Sequence, residues 1–187
     1  MRFQKKNRYL AALLCVNLLA GCTASSGSEV SRYEIYYRAI EENTRFASAS
    51  ENYTVSAEMT QWDDGTYRYY VIFDEPKISM YDIVIMTVED ERPYQEAVKM
   101  MPSSGVFDAS SSMIPNQVNS KAGFVKGLIV SGECENDEIE LSFLVEWKDK
   151  SKKTTSREFL RFTLNMEGIV TEAPPAEEPA ETQEDAG

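Results

Sequence analysis

The sequence predicts a mainly β domain: an antiparallel sandwich of about six to seven strands behind a single N-terminal helix. Three observations carry that reading. Ile139, Leu141, Phe143, Val145 and Trp147 alternate without a break with Glu138, Glu140, Ser142, Leu144 and Glu146, the period of two that marks a strand. Asp63-Asp64-Gly65 separates two further alternating runs, Tyr53–Gln61 and Tyr67–Phe73, and an Asp-Gly pair in that setting signals a hairpin. Ahead of them, Tyr33, Tyr36, Tyr37 and Ile40 recur at the three-to-four spacing of one helical face.

The elements follow in order. Ser31 with Glu34 reads as a capping box at the start of the helix. Glu34–Arg38 and Glu41–Arg45 are i,i+4 pairs in the favourable order. The tyrosine stripe is expected to dock on the body of the domain. In the hairpin, Tyr67, Tyr69, Val71 and Phe73 share one face, while Arg68, Tyr70, Ile72 and Asp74 share the other. Met80–Val88 is apolar on both faces and should be a central strand. Pro93 can open a short helix over Tyr94–Met101. Pro102–Ala122 shows no period. It reads either as a long crossover or as a contact loop to which Met100, Met101 and Met113 contribute. Gly123–Cys134 is a strand with Phe124, Leu128, Val130 and Cys134 on one side. The Ile139–Trp147 strand spans about 30 Å at about 3.3 Å per residue. Lys148–Thr154 is a polar turn, and Glu158–Leu164 returns with Leu160, Phe162 and Leu164 on one face. A sandwich buries all these stripes at once.

The N-terminus differs from the rest. Arg2, Lys5, Lys6 and Arg8 precede an apolar run from Tyr9 to Leu19, interrupted by Asn17. The run is about half the length a membrane span needs. With its basic flank and small residues at its end, it fits a processed secretory signal. Leu19-Ala20-Gly21-Cys22 closely resembles the lipobox of bacterial lipoproteins. The resemblance implies that Cys22 is acylated, that residues 1–21 are removed, and that the chain is held at the membrane on the extracytoplasmic side. Thr23 is not the aspartate of the inner-membrane retention rule, so the family rule implies the outer membrane in a diderm host. Residues 22–29 are then a lipidated tether, short enough (about 15 Å on average) to keep the domain close to the bilayer. Residues 30–168 form the domain, and 169–187 an acidic tail read as disordered. Over Tyr53–Leu164, the strand spacing and the long connection resemble the immunoglobulin-like sandwiches of bacterial surface lipoproteins. That likeness is architectural and implies no catalytic residues.

Composition excludes several functions. The 187-residue chain carries a net charge of −12. Beyond residue 21, fifteen basic residues face 31 acidic ones, a net of −16. Nucleic acid, which requires a basic face, is not an expected partner. Cys15 belongs to the signal and Cys22 to the anchor, so Cys134 is left alone. It reads as a small apolar packing residue, with an intermolecular disulfide as the lesser alternative.

Reactive constellations are scarce. There is no histidine, which removes the commonest general base, Ser-His and Cys-His pairs, and ordinary zinc sites. No Ser-x-x-Lys, Walker loop or Gly-x-Gly-x-x-Gly occurs. Asp63, Asp64, Asp90 and Glu91 are calcium candidates by residue type alone, and no cofactor is expected. A pair of carboxylates could cleave a glycosidic bond without histidine, but Glu138, Glu140 and Glu146 lie opposite an apolar stripe and read as solvated. Lys148, Lys150, Lys152 and Lys153 read first as a solvated hairpin tip and second as a patch facing anionic lipid. The expected function is a non-catalytic, lipid-anchored binding or adaptor protein that meets an envelope or secreted protein. Trp62, Tyr70 and Met113, with the Pro102–Ala122 segment, are its candidate contact residues. An immunity or inhibitor lipoprotein against a toxin or hydrolase is the first alternative. A glycan-binding module on Tyr67 and Tyr69, should their face be open, or a histidine-free glycosidase is the second.

Overall fold

The computed structural model describes residues 26–170. Cys22, the signal and the acidic tail from residue 171 lie outside the described residues. The helix α1 spans Ser26–Glu41. The strands are β1 Thr54–Gln61, β2 Tyr67–Asp74, β3 Met80–Glu89, β4 Ser103–Ser104, β5 Ser111–Met113, β6 Gly127–Cys134, β7 Glu138–Lys148, β8 Thr155–Asn165 and β9 Gly168–Val170. The six long strands are those the alternation predicts, and three short ones are added. Tyr94–Met101 is not a helix beyond a single 3-10 turn at Tyr94–Glu96.

The strands form two antiparallel sheets. One is three-stranded, in the order β1-β2-β6. The other runs β4-β3-β7-β8-β9, with β5 also paired to β3. Inward residues of both sheets make the main core, which includes Tyr69, Val71 and Phe73 from β2, Ile83 and Ile85 from β3, Phe143 and Val145 from β7, and Leu160 from β8. The Phe73, Phe143 and Phe162 rings meet edge-on and stacked, with centroids 5.4 and 5.3 Å apart.

The larger sheet has a second buried face. Tyr33, Tyr36, Tyr37 and Ile40 of α1 pack on Val84, Met86 and Val88 of β3 and Leu144 of β7. The molecule is therefore three layers deep, with the six-stranded sheet in the middle. That explains why β3 is apolar on both faces. It also corrects the reading of Glu146: this residue is only 9% exposed, accepts a 2.8 Å hydrogen bond from the Tyr36 hydroxyl and pairs with Arg157 Nε at 2.5 Å. Glu138 is exposed and Glu140 half-buried.

Other local expectations shift as well. The helix starts at Ser26, so Ser31 lies within it rather than at a cap. Glu34 pairs with Arg38 at 2.8 Å as expected. Glu41 does not pair with Arg45; its carboxylate accepts the Tyr94 backbone N–H at 2.6 Å. The Pro102–Ala122 segment is not featureless. Ser103–Ser104 and Ser111–Met113 add to the edge of β3. At the far edge, β8 is covered by β9 and by Ala47, which bridges to Leu160.

Candidate functional site

The three-stranded sheet is covered on one side only. Its outward residues fall in cross-strand rows: Thr60-Arg68-Glu133, Glu58-Tyr70-Ser131 and Ser56-Ile72-Ile129. Ile129 is 60% exposed and Trp62, just past β1, is 46% exposed. The Arg68 guanidinium lies 3.9 Å from the Trp62 ring centroid and pairs with the Glu133 carboxylate. This contact holds the indole beside the sheet as part of the surface, and exposed cation–π contacts of this kind contribute about 0.5–1 kcal/mol. Tyr70 and Ile72 are half-buried on the same face. Four apolar or aromatic side chains thus share a face that no other element of the described structure covers.

Two of the three expected contact residues are here, Trp62 and Tyr70. Met113 is not: it is 1% exposed, packs in the main core and pairs with Met80. Its short strand binds the edge of β3, which turns the side chain inward. Met101 is also buried, with its backbone N–H donating to the Tyr33 hydroxyl at 2.9 Å, whereas Met100 is exposed. The Pro102–Ala122 segment does not adjoin Trp62. Its Ile114–Val118 part meets Glu75 and Pro76 in a cavity of about 550 Å³, at the other end of β2. Tyr69 is wholly buried, so the Tyr67–Tyr69 face is closed and offers no flat aromatic row for a glycan.

A polar cleft lies at the Trp62 end, between the two sheets. Glu89, at the end of β3, is 2% exposed. It accepts a 2.7 Å hydrogen bond from the Tyr69 hydroxyl and pairs with Lys99 Nζ at 2.9 Å. Gly132 makes room for this pair, since a Cβ there would stand 2.8 Å from Glu89 Oε1. The Cys134 thiol sits alongside, and burial, then the nearby Glu89 charge, push its pKa up. The surrounding cleft measures about 520 Å³ and is rimmed by Thr66, Asp90, Arg92, Glu133 and Asn136. Sequence reasoning passed over Glu89. The available signal was its place on the same strand face as Ile83 and Ile85, opposite the inward Tyr69.

The Tyr69 hydroxyl and Lys99 Nζ each engage one oxygen of the buried Glu89 carboxylate, so this polar group is satisfied where it lines the cleft. Asp90 is also engaged, accepting the Glu140 backbone N–H at 3.1 Å. Asp64 is held low by hydrogen bonds from the Thr66 hydroxyl and backbone N–H. Among the described residues, no three acidic or cysteine side chains are gathered to hold a metal ion. No protein-family model, curated protein or solved structure matches this chain.

Proposed function

We propose that the protein is a non-catalytic binding module, lipid-anchored through Cys22 on the extracytoplasmic side of the membrane, that engages a protein partner with the outer face of its β1-β2-β6 sheet. One observation carries the reading: the larger sheet is packed on both faces, whereas the smaller one leaves Trp62, Tyr70, Ile72 and Ile129 open. Apolar and aromatic residues gathered on an open face favour protein contact. The lipobox-like Leu19-Ala20-Gly21-Cys22 supports the anchor. Acidic residues at the same end, among them Asp63, Asp64, Glu135 and Asp137, favour a partner with a basic surface, because opposite charge steers encounter. That preference suits an inhibitor of a basic toxin or hydrolase as well as an envelope adaptor.

Site-specific photocrosslinking in the anchored state tests this. A crosslinker at Ile129 should give a discrete adduct that Trp62→Ala weakens, and one at Ile35, on the outer side of α1, should give none. Equal adducts from both positions, or none from Ile129, would defeat the reading.

A further inference from the structure

The two sheets end differently at their edges. In the larger sheet, β4 and β5 are two and three residues long, β9 is three, and Ala47 bridges to Leu160 beside it. Strands this short leave little edge for another chain to join. The smaller sheet ends in two strands of eight residues, β1 and β6. Its hydrogen-bond phase follows from the hairpin. The Trp62 N–H donates to the Thr66 carbonyl at 2.8 Å, so the even-numbered residues of β2 bond β1, and Tyr67, Tyr69, Val71 and Phe73 bond β6. Within β6, Leu128, Val130, Gly132 and Cys134 are then the residues bonded to β2, while Ile129, Ser131 and Glu133 direct their N–H and C=O groups away from the sheet. Lys99 agrees with this phase, because its Nζ donates to the Glu133 carbonyl from outside the sheet. Among the described residues, that is the one hydrogen bond made to the outer edge of β6.

β6 also lacks the features that discourage pairing at an open edge. No bulge interrupts its register with β2. From Gly127 to Gly132 it carries no charge and no proline, and Ile129 in the middle of that stretch is exposed. β1, the other edge, places Glu58 near its centre and shows only polar residues on its outer face. A row of outward N–H and C=O groups at alternate residues is complementary to a second extended backbone.

We propose that β6 receives an extended segment of the partner protein as a fourth strand, with apolar residues alongside Ile129 and a basic residue at the Glu133 end. The inference rests on the reading that a partner meets this sheet, and it adds how the partner is held. A strand lying about 4.8 Å beyond β6 bonds the outward groups of Ile129 and Ser131. On the outer face its side chains extend the Ser56-Ile72-Ile129 row, and on the inner face they cover half-buried Leu128. The basic residue follows from the charge balance where β6 ends. The cleft there is lined by five carboxylates, Glu89, Asp90, Glu133, Glu135 and Glu138, against Arg92 and Lys99. Arg68, which pairs with Glu133, brings a third positive charge and still leaves an acidic excess. A second copy of this net-negative chain would add to that excess, whereas a segment bearing Lys or Arg offsets it.

The test combines the photocrosslinker at Ile129, in the full chain in its native envelope, with prolines at outward N–H positions. Ser131→Pro removes an N–H that β2 does not use, which an edge strand tolerates, and should cut the adduct about tenfold or more. Ala57→Pro removes an outward N–H of β1 and should leave the adduct at its original level. In the unsubstituted chain, residue-resolved hydrogen exchange at Ile129 and Ser131 should slow at least about tenfold between the purified protein and the envelope, a readout that depends on no variant folding. An undiminished adduct in Ser131→Pro and unchanged exchange at both residues, with Trp62→Ala still weakening the adduct, would overturn the added strand and leave the sheet-face reading intact. An adduct of twice the chain's mass would seat a second copy on the edge and overturn the partner segment. No adduct from Ile129 in the unsubstituted chain would overturn both readings.

Discussion

The two sheets share one alternating pattern and use it differently. In β1, the polar positions Ser56, Glu58 and Thr60 are exposed. In β7, the corresponding polar-face positions Ser142, Leu144 and Glu146 are buried under α1. Alternation reports which residues share a face. It does not report whether the second face meets water or another layer. The comparison assigns structural duty to the middle sheet and leaves the outer face of the small sheet available for contact.

The largest expected effect is alkaline unfolding of the covered layers. Burial raises the phenol pKa of Tyr33, Tyr36 and Tyr37 beneath the helix and of Tyr53 and Tyr69 in the sandwich, Tyr37 to about 12. The unfolded chain releases these protons near pH 10 while the fold keeps them. Stability should thus be complete below about pH 10 and fall as pH rises towards 12. Tyrosinate absorbance followed with circular dichroism checks it. Ionisation of all five with the β signal intact would break the account.

Next comes Phe143→Ala, which empties the centre of the core and should cost about 3–5 kcal/mol in urea unfolding. Ile129→Ala on the open face should stay within about 0.5 kcal/mol. Equal losses would erase the distinction between the sheets. Gly132→Ala drives a methyl against Glu89 and Tyr69 and should cost about 1–3 kcal/mol. A similar loss is expected for Glu146→Ala, which strands the Tyr36 hydroxyl and Arg157, while Glu58→Ala should be near neutral. Full stability of Glu146→Ala would mean that the helix layer is loosely held. The smallest effect is Arg68→Ala, about 0.5–1 kcal/mol, seen together with a change in Trp62 fluorescence.

Much of the fold is legible in the sequence because strand period and turn chemistry are local. The hairpin at Asp63-Asp64-Gly65, the twice-buried β3 and the tyrosine stripe all follow from residues a few positions apart. The errors arise where a distant element decides. Glu146 reads as solvated until α1 arrives from 110 positions away, and Leu144 between Ser142 and Glu146 was the local hint. β4 and β5 are two and three residues long, too short to show a period, so Met113 passed for a surface residue. At the candidate site, Trp62 and Tyr70 could be read as outward from the hairpin alone. Their pairing with Arg68 and Glu133, and the distance from the Pro102–Ala122 segment, depend on how β6 joins β2.

Covalent surface footprinting of the full chain, purified and in its native envelope, tests most directly whether the open sheet face is where this protein meets its partner. The account predicts that Trp62, Tyr70 and Ile129 are labelled in the purified chain and protected in the envelope, with Ile35 labelled in both. Labelling of Trp62, Tyr70 and Ile129 to the same extent in both states would contradict it.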